Sequence, residues 1–233
     1  MAPTCNICGV QDWQDMNTRK GVRCGNCNSL ERTRALKLLL DHHKAPKAGA
    51  TILHFAPERG LAEWIKTTNP GHYDMVDIAP ERYKHSDVRR FDATTDCETL
   101  PDNHYDLIIH NHVLEHIPCN IAYMLFHLSR ALKPDGFHVF SIPIMKGHYA
   151  EDFAPLTREE ATERFGQFDH LRRFSRDDIH LHLAKLMNID LEYSLYKTHD
   201  AETLDAANIP EHERTGLKGS TIFITKKSDY LLQ

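Results

Sequence analysis

Three times between residues 51 and 117 a short apolar run breaks off into polar residues: TILHFAPERG (51–60), HYDMVDIAP (72–80) and YDLIIHNHVLEHI (105–117). Short runs rich in Ile, Leu, Val and Phe, alternating with helical patterns, predict buried strands of a parallel α/β sheet. Their polar ends then share one rim, the carboxyl edge, where such sheets hold nucleoside-type ligands. The pattern continues with a short strand at Val88–Phe91, a helix over 120–132, and a turn into a fifth strand in LKPDGFHVFSIPI (132–144). Helices near 157–165 and 176–187 and strands at 189–196 and 221–226 complete the body. Upstream, Leu30, Leu36, Leu38, Leu39 and Leu40 predict a strongly apolar helix to about His43, with Asn28 and Glu31 spaced as a capping box. KAPKAGA (44–50) reads as a linker.

At 233 residues the chain suits one α/β domain with its own core and a small appendage. No apolar stretch approaches the roughly 18–20 residues of a membrane span. The segment MAPTCNICGV lacks a basic region followed by an apolar core, so no secretory signal is expected, and a reducing cytoplasm is the expected compartment. The net charge of −5 is uneven: residues 1–47 carry eight Lys/Arg against four acids, a +4 head on a −9 body. With Trp13 as its sole aromatic, so weakly basic a head favours a solvated face over a polyanion-binding one.

The head's distinguishing feature is its cysteines. Cys5-x2-Cys8 and Cys24-x2-Cys27, separated by fifteen residues, have the spacing of two metal knuckles. Four thiolates make a closed tetrahedral Zn2+ site, structural because no position stays open for water. Two disulfides are the alternative, disfavoured in a reducing compartment. Cys97 and Cys119 lack such partners and read as small buried apolar residues.

In the body, His54, Phe55, Ala56 and Gly60 surround the first strand-to-helix turn. A glycine-rich D-x-G-x-G-x-G turn admits a ligand to the backbone most easily; here His54, Ala56 and Glu58 replace the acid and two glycines, and Gly60 alone remains. Asp77, followed by Ile78, lies twenty-three residues past His54, where a ribose diol finds its acceptor. Asp92 and Ala93 occupy an adenine-edge position, and Asn111 and His112 open the segment after the fourth strand.

Together LPDNHYDLIIHNHVLEHI and LSRALKPDGFHVFSIPI resemble the class I S-adenosylmethionine-dependent methyltransferases, particularly the type 11 group. ERFGQFDHLRRFSRDD (163–178) and the CxxC head joined to SLERTR look like a zinc-ribbon-bearing subgroup of them. The resemblance implies a Rossmann-like, doubly wound seven-stranded sheet with a C-terminal antiparallel hairpin. It divides the chain into a zinc-ribbon-like module with its connecting helix (1–47) and a methyltransferase domain (48–233), in which 145–188 form a lid over cofactor and acceptor. S-adenosylmethionine would then be held by His54, Phe55, Ala56, Gly60, Asp77, Ile78, Asp92, Ala93, Asn111 and His112. Proton removal from the acceptor would fall to His116, His112 or His170, with Glu115 also in range. Alternatively Glu115, His116, Glu151 and Asp152 could hold a divalent metal. Arg172 and Arg173 could pair an anionic acceptor or simply the body's own acids. A small molecule or saccharide is the expected acceptor. An RNA methyltransferase using the head for docking and a non-catalytic scaffold are the competing expectations, while acceptor atom and oligomeric state stay open.

Overall fold

A computed structural model describes residues 2–84 and 86–232. The head begins with an antiparallel hairpin, β1 (Trp13–Met16) and β2 (Arg19–Cys24), and leads into α1 (Glu31–His42). The expected capping box at its start does not form. Asn28 takes a left-handed conformation (φ 61°), Leu30 occupies the cap without a side-chain bond, and Glu31 instead pairs with Arg19 of the hairpin.

The body alternates β3 (Thr51–Phe55), α2 (Arg59–Thr67), β4 (His72–Asp77), β5 (Arg89–Arg90), β6 (Tyr105–Asn111), α3 (Ile121–Ala131) and β7 (Leu132–Ser141). A segment of short elements follows, with β8 (Ile144–Met145), β9 (Ala150–Glu151), α4 (Arg158–Phe165) and β10 (Arg172–Ser175). Then come α5 (Ala201–Ala206) and β11 (Phe223–Lys226). The main sheet runs in the order β11-β7-β6-β3-β4-β5, with β11 antiparallel to β7 and every other pair parallel. The fold is thus the expected doubly wound α/β arrangement. Successive residues of each strand point to opposite layers. Ile52, Leu107, Ile109 and Val139 pack with the leucines of α1, with Leu61 and Ile65 of α2, and with Leu204 of α5. Leu53, Ile108 and Phe140 pack on the other side with Met124, Leu125 and Leu128 of α3 and with Phe174 of β10.

Two expected elements are absent among the described residues. The sheet has six strands, not seven with a terminal hairpin. Over 189–196 the apolar alternation is real, but the Asp190 carboxylate accepts from the Glu192 N–H (3.0 Å) and turns the chain. Tyr193 and Leu195 consequently bury against α5 and its neighbours, and β11 alone closes the edge. Over 176–187, Asp178 accepts from the Tyr149 N–H (2.8 Å) instead of capping a helix, and only two single 3-10 turns form.

The head is fastened to the body by Arg34, which is fully buried. Its guanidinium donates to Val22 O (3.0 Å) and Ser29 O (2.8 Å) in the head and to Ala207 O and Asn208 O (both 2.8 Å) beyond α5. The second fastening is at Gly60, where a Cβ would lie 2.9 Å from the Cys27 carbonyl oxygen and 3.1 Å from its sulfur. Gly60→Ala should therefore push the second cysteine knuckle away and cost about 1–3 kcal/mol in urea denaturation. An unchanged midpoint would show that this close approach is dispensable.

The core also contains two neutral histidines. His110 and His138 are fully buried with ring centroids 4.9 Å apart. Burial pushes His138 down to about 3 and His110 well below its ordinary value, with mutual repulsion adding for His110. The unfolded chain binds these protons near 6.5 and the folded chain does not. Keeping them neutral thus has no protonation cost above that pH, and stability is lost as pH falls from about 6.5 towards 3. The urea midpoint should drop across that window. His110→Leu, which removes two ring nitrogens without partners, should flatten the drop, and an equal drop in that variant would contradict this assignment.

Candidate active site

The strand order reverses between β3 and β6, so the connections leave in opposite directions and a crevice opens outside their carboxyl ends. After β3 the chain turns through Ala56 (φ 46°), a left-handed residue that makes the tight bend without glycine. Glu58 projects from that turn, and Asn111 ends β6. Asn111 Nδ2 donates to Glu58 Oε1 (2.9 Å), while Ser141 Oγ donates to Asn111 Oδ1 (2.9 Å). Behind Glu58, fully buried His54 lies 3.4 Å from its second oxygen and 2.7 Å from the Tyr73 hydroxyl. Burial opposes the Glu58 charge, yet the bond from His54 and the nearby Arg32 charge hold its carboxyl below the ordinary range. Phe55 is buried edge-on against Phe91 (5.5 Å) and supports the floor.

Farther along the rim, the Asp77 carboxylate accepts from the Ala79 N–H (2.7 Å) and the Tyr83 hydroxyl (2.6 Å). These bonds fix its orientation and leave lone pairs for a diol. Ile78 beside it is 53% exposed, an apolar face without protein cover. Asp92, past β5, accepts from the N–H and hydroxyl of Thr94, which hold it below its ordinary range; Ala93 is buried. An orienting acid, an open apolar face and a second acid along one rim suit a ribose–adenine moiety.

The head forms the opposite wall. A cavity of about 230 Å3 is lined by Cys27, Ser29 and Arg32 from the head and by Glu58, Arg59 and Gly60 from the turn. Arg32 Nε is buried there without a hydrogen-bond partner. The sequence reading missed Arg32. The available signal was two arginines, Arg32 and Arg34, just ahead of the leucine-rich stretch of α1; one locks the head and the other faces the crevice. Gly60 lies against Cys27, so its visible neighbour is the cysteine knuckle. A larger cavity, about 820 Å3, lies at the opposite edge among Lys44, Lys47, Asp106 and Lys133, remote from the strand ends that carry the candidate residues.

After β6, HNHVLEH forms a short 3-10 turn (Leu114–His116) beside the 145–188 segment. His112 is left-handed (φ 54°); its Nε2 lies 2.9 Å from Gly219 O and its Nδ1 3.4 Å from Glu115 Oε1. Burial pushes His112 down to about 4 and Glu115 up to about 8. His116 Nδ1 lies 3.0 Å from Asp169 O, and His170 Nδ1 lies 3.2 Å from Phe165 O, with the two rings edge-on at 4.8 Å. The other expected chemistry is committed elsewhere. Arg172 is fully buried on Glu151, Leu114 O and Cys119 O, Arg173 Nε donates to His148 O, and Asp152 pairs with Arg164. Glu151 and Asp152 thus do not join Glu115 and His116.

In the head, the Cys5–Cys27 and Cys8–Cys24 sulfurs are each 3.6 Å apart, and all four lie within 4.8 Å of one another. The edge of a tetrahedron with Zn–S bonds of about 2.3 Å is about 3.8 Å, so the set is shaped to hold such an ion. Cys97 is buried and unpaired, as expected of a small apolar residue.

No helix among the described residues is long and apolar enough to cross a membrane. No curated protein matches the chain. A methyltransferase from Mesorhizobium loti described as S-adenosylmethionine dependent superposes with TM-score 0.54 at 16% identity, covering 85% of this chain and 98% of that one. One from Archaeoglobus fulgidus gives 0.48 at 17%, covering 82% and 92%. At these identities the likeness is one of fold. The family described as "Methyltransferase domain" matches residues 29–186, more than half the chain. By this match the chain belongs to the methyltransferase domain family.

Proposed function

We propose that the protein transfers the methyl group of S-adenosylmethionine to a small-molecule or saccharide acceptor, with a structural Zn2+ held by Cys5, Cys8, Cys24 and Cys27. The observation that carries this reading is the crevice at the strand reversal, walled by Glu58 and Asn111 and continued by Asp77 and Asp92. Asp77 would accept from the ribose hydroxyls. Ile78 and Ala93 would cover the adenine, with Asp92 accepting from its exocyclic amine. Arg32 would meet the carboxylate of the methionine end and Glu58 its ammonium. The cofactor supplies an electrophilic methyl. The chain's own work is to align the acceptor in line with it and exclude water beneath the lid. A proton leaving a hydroxyl or amine acceptor has His116 and His170 at this edge to receive it.

Salt bridges weigh against a nucleic-acid acceptor. Arg19, Lys20 and Lys37 of the head pair with Glu31, Asp15 and Asp41, and Arg34 is buried. Half of the head's eight cations are thereby committed internally. Label from methyl-labelled cofactor appearing in RNA, rather than in small metabolites of a native extract, would reverse the preference.

Calorimetry tests the cofactor assignment. The wild type should bind S-adenosylmethionine, and Asp77→Ala and Arg32→Ala should each weaken binding by about tenfold or more, roughly 1.4 kcal/mol, with little change in melting temperature. No binding at about millimolar ligand would sink the enzymatic reading in favour of a scaffold. Undiminished binding in both variants would move the cofactor elsewhere.

A further inference from the structure

We infer that Glu115, His116 and His170 form a binding site for a first-row divalent cation, separate from the cysteine cluster. One ligand atom from each lies within 4.8 Å of those of the other two. Ligands of a single ion at bonds of about 2.0–2.2 Å stand about 3–4 Å apart, so a small rotation of His116, whose side chain is one-third exposed, would complete the set.

Proton bookkeeping at the cluster makes the case. A backbone carbonyl only accepts, so the Nδ1 atoms of His116 and His170, against Asp169 O and Phe165 O, carry the ring protons. Each neutral ring then keeps a lone pair on Nε2. Glu115 is fully buried, and neither carboxylate oxygen has a hydrogen-bond partner. The nearest ring on its other side, His112, directs its own N–H to Gly219 O and so presents a further lone pair at 3.4 Å. Arg172 passes behind the turn, but its guanidinium is taken by Glu151, Leu114 O and Cys119 O. Apart from the Glu115 backbone N–H and the more distant charges of Arg32 and Arg172, the cluster presents electron-pair donors, in a place where an unpaired carboxylate is costly. A single proton on Glu115 could serve one contact; a cation serves all three.

Two imidazoles and one carboxylate suit Mn2+, Fe2+, Co2+ or Zn2+ better than Mg2+ or Ca2+, which prefer all-oxygen sets. The carbonyls of Asp169 and Phe165 fix the two rings in the way that outer partners of metal-bound histidines do. The exposed side of His116 leaves coordination positions for water or for an acceptor oxygen, whose ionisation the cation would favour in place of proton transfer to the two rings it then occupies. Glu115 and His116 come from the turn after β6 and His170 from the lid, so the ion would also tie the lid to the sheet.

Co2+ alone is the probe, added to the full-length protein with its zinc content measured before and after. The expected result is one Co2+ per chain with weak ligand-field bands and no intense thiolate charge-transfer band, which substitution into the cysteine cluster would produce. Binding should also protect residues 145–188 from proteolysis. Glu115→Gln, which preserves shape, and His116→Gln, at the exposed corner, should each weaken Co2+ binding by about tenfold or more while zinc stays constant. Folding of each variant is checked by its far-UV spectrum and melt. Absence of a thiolate-free Co2+ signal at about millimolar metal, or wild-type affinity in both folded variants, overturns the inference and leaves Glu115 as a buried neutral acid. These readouts need neither cofactor nor acceptor, so they stand or fall independently of the methyl-transfer reading.

Discussion

Everything at the candidate site depends on the chain reversing its course across the sheet between β3 and β6. Parallel neighbours whose connections leave in opposite directions cannot cover the ends they share, so a gap at the carboxyl edge is enforced by topology. Buried polar groups in that gap must bond one another or a ligand. Here Tyr73, His54, Glu58, Asn111 and Ser141 form one continuous chain across it, so the rim is held in shape by its own side chains.

The head contributes to the same gap. A module of this size buries little apolar surface and needs staples. Its internal staple is the cysteine set. Its external staples are the Ala207 and Asn208 carbonyls bound by Arg34 and the contact of Cys27 with Gly60. Because α1 also belongs to the sheet's core, docking brings Arg32 to the crevice wall. The knuckle and the cofactor turn are thereby mechanically linked. A loosened head would disturb ligand binding without any cysteine touching the ligand.

What was legible in the sequence follows a physical rule. Strands β3, β4, β6 and β7 were evident because buried parallel strands are short apolar runs whose meaning does not depend on partners. The four cysteines were evident because their spacing is a local geometric constraint. Where two local options compete, the sequence misleads. Asn28 with Glu31 and Thr157 with Glu160 carry the same box spacing, yet only the second closes, because Arg19 of the hairpin claims Glu31. The segments 176–187 and 189–196 have helical and strand patterns, but Asp178 and Asp190 bind neighbouring N–H groups and break them. Gly60 lines the cavity beside the first turn, where the motif reading put it, but it has a second role. Its neighbour is a cysteine thirty-three positions earlier, a contact no local pattern reports.

By itself the sequence determined the α/β class, the positions along the chain of the strands β3, β4, β6 and β7, the cysteine spacing and the acids Asp77 and Asp92 as candidates. These follow from periodicity and short-range spacing, which are properties of the chain alone. Only the tertiary structure decided that Arg32 faces the crevice, that Glu151 and Asp152 are spent on Arg172 and Arg164, and that His170 meets Glu115 and His116. Those meetings join residues tens of positions apart, and they are selected by which buried charges find partners once the layers have packed.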